Sequence, residues 1–256
     1  MSSESIEAFY TTDEYIKGHP TLHEEDSAWK IEKMKPFIDA FIKRTPKKEV
    51  CILDVGGGAG IILKNIAKYL QETHDKKVIK YCLDLSPGMV EIQTKNNQDI
   101  IKAIAGDIRE TPFSDKEIDL VLMIDVLEHV QEPDKVIKEI ERIATCALYK
   151  VPLEDTVYYK LMDRLTKGNF RKRLIEYVGH INVYNQQSLK KEVEGDKGIV
   201  IKEGLTNVYP YLLKTEKGLF SKVFNSIGVV LYKVAPKLSA KLLSDYALML
   251  VKTDKV

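Results

Sequence analysis

Beyond residue 48 the chain alternates between two hydrophobic patterns. Short, nearly unbroken apolar runs read as strands buried on both faces: Val50–Val55, Val78–Asp84, Ile100–Ala105, Ile118–Ile124 and Thr145–Val151. Segments with apolar residues at helical spacing lie among them: Ala59–Glu72, with Ile62, Ile66, Tyr69 and Leu70 on one face, then Pro87–Asn96 and Pro133–Ala144. The last two carry proline near their first turn, where its missing N–H costs nothing. Strands that alternate with helices in this way predict a parallel sheet covered on two sides, with right-handed crossovers. Upstream, Ile31, Met34, Ile38, Phe41 and Ile42 predict an amphipathic helix over Ala28–Ile42, broken by Thr45-Pro46. Downstream, Gln186–Glu194 reads as a helix with Asn185 as its N-cap, and Gly198–Asn207 and Tyr246–Lys252 read as strands. The stretch 153–183 is rich in Tyr, Arg and Lys. The long connection 208–245 holds two apolar helical patches, Leu219–Val234 and Leu238–Leu243, separated by Pro236. The expected organisation is an N-terminal helical lid over 1–45 and one α/β domain over 46–256, with insertions at 153–183 and 208–245.

Composition narrows the classes. Thirty-nine Lys+Arg against 38 Asp+Glu leave a net charge of +1, which argues against a generally basic nucleic-acid binder. The polar, acidic start MSSESIEAFYTTDEY does not read as a signal peptide, and no apolar run is long enough to predict a membrane span. Cys51, Cys82 and Cys146 each sit in or beside an apolar run and are expected as buried free thiols. A cytoplasmic location is the expectation. No CxxC or HExxH spacing predicts a metal centre.

The candidate chemistry begins at Asp54-Val55-Gly56-Gly57-Gly58-Ala59-Gly60, where a buried strand enters a glycine-rich turn followed by a helix. In an open parallel sheet, ligands bind beyond the carboxyl ends of the strands. A dinucleotide needs G-x-G-x-x-G, but with Gly56 and Gly58 in the first two places Ile61 fills the third. Asp54 beside the loop repels a diphosphate and attracts a cation. S-adenosylmethionine (SAM) has no phosphate and carries an ammonium and a sulfonium, so the signs favour it over NAD. Asp84 at the next strand end is placed to accept from ribose hydroxyls. Asp107 and the Ile108 N–H at the third are placed for adenine.

The segments LDVGGGAG, YCLDLSP and AGDIRETPFSDKEIDLVLMIDVLEHV together resemble class I SAM-dependent methyltransferases, with the small-molecule enzymes of ubiquinone and menaquinone biosynthesis nearest. The resemblance covers about residues 48–152. It implies a Rossmann-like, seven-stranded, mostly parallel sheet with helices on both faces and an antiparallel last strand. It also implies that Gly56, Gly58 and Gly60 line the cofactor, that Asp84 holds the ribose, that Asp107 holds the adenine, and that Ile124 lies near the methionyl group; Asp54, Leu85 and Ile108 are expected to contact the cofactor as well. Lys30 is placed to pair with the methionyl carboxylate; the alternative for its neighbour Trp29 is simple packing on the sheet. The segment 15–30 holds the only Trp and two of the five His, His19 and His23, and reads as a lid.

On the acceptor side, Asp125-Val126-Leu127-Glu128-His129 is expected on a turn entering a helix. One reading makes His129 or Glu128 a general base. A second makes Asp125, Glu128 and His129 a divalent-metal site, and a third has them order the loop. His180 in Gly179-His180-Ile181-Asn182-Val183-Tyr184 is a second candidate base or acceptor contact. Lysines 214, 217, 222, 233, 237 and 241, interleaved with Leu219, Phe220, Val223, Phe224 and Ile227, read either as a cap over an apolar pocket or as an interfacial helix capable of weak peripheral membrane association. The expected function is methyl transfer from SAM to a small, apolar or aromatic metabolite by a monomer or homodimer. The rival readings are a non-catalytic SAM-binding scaffold, a membrane-surface enzyme acting on a lipid or quinone precursor, and an NAD oxidoreductase.

Overall fold

The computed structural model describes residues 24–254, so His19, His23 and the first half of the expected lid lie outside the described residues. Seven strands form one sheet: β1 (Glu49–Val55), β2 (Lys77–Asp84), β3 (Ile100–Ala105), β4 (Ile118–Ile124), β5 (Ala144–Leu153), β6 (Ile199–Leu205) and β7 (Asp245–Lys252), in the order β3-β2-β1-β4-β5-β7-β6. All neighbours from β3 to β5 pair parallel, whereas β7 runs antiparallel to both β5 and β6. The strand order reverses direction at β1, which pairs with β2 on one side and β4 on the other. A crevice opens at such a point.

Side chains alternate across each strand, so β4 feeds two cores. Leu120 and Leu122 pack with α1 (Ser27–Ile42) and α2 (Ile61–His74) through Met34, Ile38, Phe41, Leu63, Ile66 and Leu70. Val121 and Met123 pack on the opposite face with α4 (Pro133–Ile143) and α7 (Gln186–Glu194), through Val136, Ile140, Leu189 and Val193. Several helices start where a side chain closes an open backbone N–H. Ser86 Oγ accepts from Met89 N–H at 3.2 Å to begin α3 (Pro87–Asn96), and Asn185 and Ser188 form a reciprocal capping box on α7. All three cysteines are buried and free.

The differences from the sequence expectation have local causes. Helix α2 begins at Ile61 rather than Ala59 because Gly60 holds a left-handed φ of 76° as its N-cap. Residues 125–132 form turns rather than the start of a helix. Asp125 and Glu132 both have positive φ (57° and 51°), and α4 waits for Pro133. The stretch 153–183 holds α5 (Val157–Leu165) and α6 (Asn169–Arg173), which runs into a π turn over Leu174–Val178. The connection before β7 contains α8 (Tyr209–Thr215), α9 (Leu219–Val234) and α10 (Pro236–Leu242). On α9 the apolar stripe points outward: Leu219, Phe220, Val223, Ile227, Val230 and Val234 are exposed, while Asn225 and Gly228 are buried.

Candidate active site

The carboxyl ends of β1, β2, β3 and β4 converge on one cleft, lined among others by Gly56, Gly58, Asp84, Leu85, Asp107, Ile108, Asp125, Val126 and His129. Gly56 N–H donates to Leu83 O at 2.9 Å, which ties the glycine turn to the end of β2. Asp54 lies beneath this turn rather than in the cleft lining: it is 1% exposed, and a Cβ on Gly57 would come within 2.2 Å of its Oδ2. Gly57 is thus a position of forced close approach. Gly60 also stands outside the lining; its carbonyl accepts from Asn97 Nδ2 at 3.0 Å, and a Cβ there would meet that nitrogen at 2.7 Å. Its contacts are with α3.

Charge in the cleft is dominated by acids. Burial raises the Asp84 carboxyl to about 6, against the opposing hydrogen bond from Ser86 N–H at 2.9 Å. Burial, then the neighbouring Asp84, raises Asp54 to about 7, and Asp54 Oδ2 has no hydrogen-bond partner among the described residues. Asp107 is partly buried, which works against ionisation, but hydrogen bonds from the Arg109 side chain and N–H hold it below the usual carboxylate range. Arg109, the one arginine or lysine in the lining, is committed to Asp107 and Glu132. A diphosphate entering this cleft would therefore meet the Asp84 carboxylate, the acid of the lining that no cation offsets among the described residues. A cationic nucleoside would relieve the cost of holding buried carboxylates, so the residues fit SAM.

Beyond β4 the predicted residues divide into two groups. Asp125 turns toward cations. Its Oδ1 lies 2.5 Å from Lys150 Nζ and its Oδ2 3.0 Å from Lys30 Nζ, which also holds Asp26 at 2.9 Å. Burial alone would raise Asp125, but Lys150 and Lys30 overcome it and hold the carboxyl well below its ordinary range. Lys30 stands outside the cleft lining with its charge shared between two carboxylates, and Ile124 is also outside it. Lys150, 1% exposed, sits 3.5 Å from the Tyr246 ring centroid. Trp29 stacks on Tyr211 at 5.1 Å and meets Tyr246 edge-on at 6.2 Å, so an aromatic wall stands over the ion pairs.

Glu128, His129 and His180 form the second group, and Asp125 is not part of it. Ligating atoms of these three lie within 4.8 Å of one another, so they form the set among the described residues able to hold a metal. The two imidazoles meet edge to face at 4.9 Å. His129 Nδ1 is 3.1 Å from Gly179 O; a carbonyl only accepts, so this nitrogen donates. His180 Nδ1 is 2.6 Å from Oε1 of the buried Glu154, which leaves Nε2 as the basic nitrogen of the neutral ring. Burial, reinforced by Asp125, pushes Glu128 well above its ordinary value, and its Oε2 has no hydrogen-bond partner among the described residues. The Glu128 carbonyl accepts from the N–H groups of Ile181 and Asn182, and Asn182 Nδ2 donates to Leu127 O and Val130 O. The loop after β4 and the loop carrying His180 are thereby fastened together. Sequence reasoning missed Lys150 and Glu154. The available signal was a single lysine inside the apolar run of β5 and an acid just past its carboxyl end.

Residues 53–145 match a family model described as "Methyltransferase domain". A protein of Methanocaldococcus jannaschii described as "Uncharacterized protein MJ1123" is 26% identical over 186 residues, 66% of this chain and 82% of that one. Among solved structures, the PH0226 protein from Pyrococcus horikoshii OT3 is similar with a TM-score of 0.57 at 18% identity, over 94% of this chain and 99% of that one. Geranyl diphosphate C-methyltransferase from Streptomyces coelicolor A3(2), solved with Mg2+, geranyl diphosphate and S-adenosyl-L-homocysteine, is similar with a TM-score of 0.56 at 9% identity, over 86% and 80% of the two chains. Among the described residues no helix is long and apolar enough to cross a membrane.

Proposed function

We propose, from the premise that this chain is an enzyme built on a class I SAM-dependent methyltransferase domain, that it methylates a small, apolar or aromatic acceptor that must give up a proton. The observation carrying this reading is His180, held at Nδ1 by buried Glu154 at 2.6 Å and set beside His129 at the rim of the cleft. When bound, SAM supplies an electrophilic methyl group. The chain has three tasks: to hold the cofactor, to position the acceptor, and to take its proton. Asp84 accepts from the ribose hydroxyls, and Asp107 with the Ile108 N–H serves the adenine. Glu154 fixes the His180 ring so that Nε2 faces the acceptor. Burial, then Asp125, raises the Glu128 carboxyl well above its ordinary value, which favours a hydrogen-bonding role for it over that of the base. The wall of Trp29, Tyr211 and Tyr246 gives an apolar acceptor a surface and keeps water away.

The direct test incubates the whole chain with methyl-labelled SAM and a panel of phenols, enols and hydroxy acids. Labelled product together with S-adenosylhomocysteine supports the reading. Tight SAM binding with no product across the panel favours a non-catalytic binder.

Two further outcomes follow from Asp84. Asp84→Ala is expected to weaken SAM binding by about 1–3 kcal/mol, roughly fivefold to 150-fold in Kd, the scale of lost charge-assisted hydrogen bonds. Calorimetry measures this directly, and an unchanged Kd removes Asp84 from the site. The sign of the pH dependence is also set. The carboxylate form binds, and in the free protein it gives way to the acid as pH falls through about 6. Affinity for SAM should therefore be flat above pH 7 and decline toward pH 5. Asp84→Asn should flatten that decline.

A further inference from the structure

Helix α9 is amphipathic in the wrong sense for a helix that covers a core. Its exposed stripe is apolar, with Leu219 and Val234 each 80% and Phe220 71% exposed, whereas its inner face presents Asn225 and Gly228. The helix cannot roll to bury the stripe. A Cβ on Gly228 would come 2.3 Å from Tyr209 Cδ1, so that ring is seated directly on the α9 backbone, and Tyr232 Oη donates to Leu205 O at 3.2 Å. The stripe also continues onto α5. Phe224 meets Tyr158 with ring centroids 4.7 Å apart, and Val157, Leu161 and Leu165 beyond it are 49%, 51% and 68% exposed. A contiguous apolar surface of this kind marks an interaction site.

The charges around it select the partner. Lys214, Lys217, Lys222, Lys233, Lys237 and Lys241 are all exposed, and none is in an ion pair among the described residues. The only acid within that stretch is Glu216, in a chain whose overall charge is +1. An apolar stripe containing Leu, Phe, Ile and Val and flanked by unpaired lysines matches the boundary between acyl chains and anionic headgroups. We propose that the outer face of α9, extended by α5 and α10, seats the protein peripherally on a bilayer containing anionic phospholipid. The proposal rests on this surface alone and stands or falls independently of the methyl-transfer reading.

The test sediments the full chain with vesicles of phosphatidylcholine, alone or mixed with phosphatidylglycerol, at low and high salt. At least about tenfold more protein should bind the mixed vesicles at low salt, and high salt should remove most of that preference. Val223→Asp with Ile227→Asp should abolish binding to both vesicle types, because it places charge in the acyl layer. Lys233→Glu with Lys237→Glu should remove only the anionic preference. Both variants change exposed positions, so an unchanged melting temperature and SAM Kd certify the fold. Failure of the wild-type chain to sediment with mixed vesicles overturns the proposal. A dimer in light scattering that Ile227→Asp dissociates, without vesicle binding, assigns the face to a second copy instead. Sedimentation that survives Val223→Asp with Ile227→Asp also overturns it.

Discussion

Asp125→Ala should lower the unfolding free energy by about 3–5 kcal/mol, the cost of leaving one partner of a buried ion pair uncompensated. Lys150 is the reason. It is 1% exposed within β5, its carboxylate partner is Asp125 at 2.5 Å, and around it stand the Tyr246 and Trp29 rings, the competing Lys30 ammonium and the Glu128 carboxyl. Without Asp125, burial and Lys30 both act to strip the Lys150 proton. The double variant Asp125→Ala with Lys150→Met removes both charges and should recover most of the loss, because an aliphatic side chain suits the aromatic surroundings. Urea unfolding of the three variants at pH 7 measures this. If the single and double variants are equally unstable, the deficit comes from packing and the ion pair is not the cause. Asp125 also faces the cleft, so the single variant should lose SAM affinity through disorder of the turn after β4.

His180→Ala should reduce kcat by roughly 10²–10⁴-fold on the acceptor identified in the panel assay, the range for removal of a positioned general base. The Kd for SAM should stay within about twofold, because His180 is not in the cofactor cleft lining. Glu154→Gln should give a smaller loss. A carboxamide oxygen still accepts from Nδ1–H at this position but no longer stabilises the imidazolium formed when Nε2 takes the proton. The pattern separates base from metal. If Glu128, His129 and His180 act by holding a cation, chelation should reproduce the His180→Ala loss, and added divalent metal should reverse it in the wild-type chain. If His180 is the base, chelation leaves turnover unchanged.

The central strands were readable from sequence because a strand covered on both faces must be apolar throughout, and Ile118–Ile124 stands where the pattern places it. Ile100–Ala105 also stands at its expected place, but as the edge strand it leaves alternate residues exposed, Ile101 among them, so the expectation that it is buried on both faces is corrected. Helices α3 and α7 were readable because their first turns carry Ser86-Pro87 and Asn185. Helix α5 did carry a signal, the Thr156 cap and Val157, Leu161 and Leu165 at helical spacing, which sequence reasoning missed; the five-residue α6 is too short to show one. The cleft proposed for the cofactor was legible as a series of strand ends, since local order along the chain puts Gly56, Asp84 and Asp107 into one lining. The acceptor side was not, because it depends on pairings across distance. Lys150 finds Asp125 between neighbouring strands, and His180 finds Glu154 across the insertion after β5. The orientation of α9 was also hidden. Its stripe is equally compatible with facing in or out, and the contact of Tyr209 with Gly228 decides between them.

If the two histidines face the acceptor as proposed, the fastening of their loops constrains which molecules the enzyme can accept. Four hydrogen bonds join the Glu128 carbonyl and the Asn182 amide to their opposite loops, so neither loop can shift without the other. The pair behaves as a fixed caliper: a homologous series of acceptors should show a sharp size cutoff instead of a gradual fall in turnover. Widening the tolerated range would then require loosening Asn182, a residue that need never touch the molecule being selected.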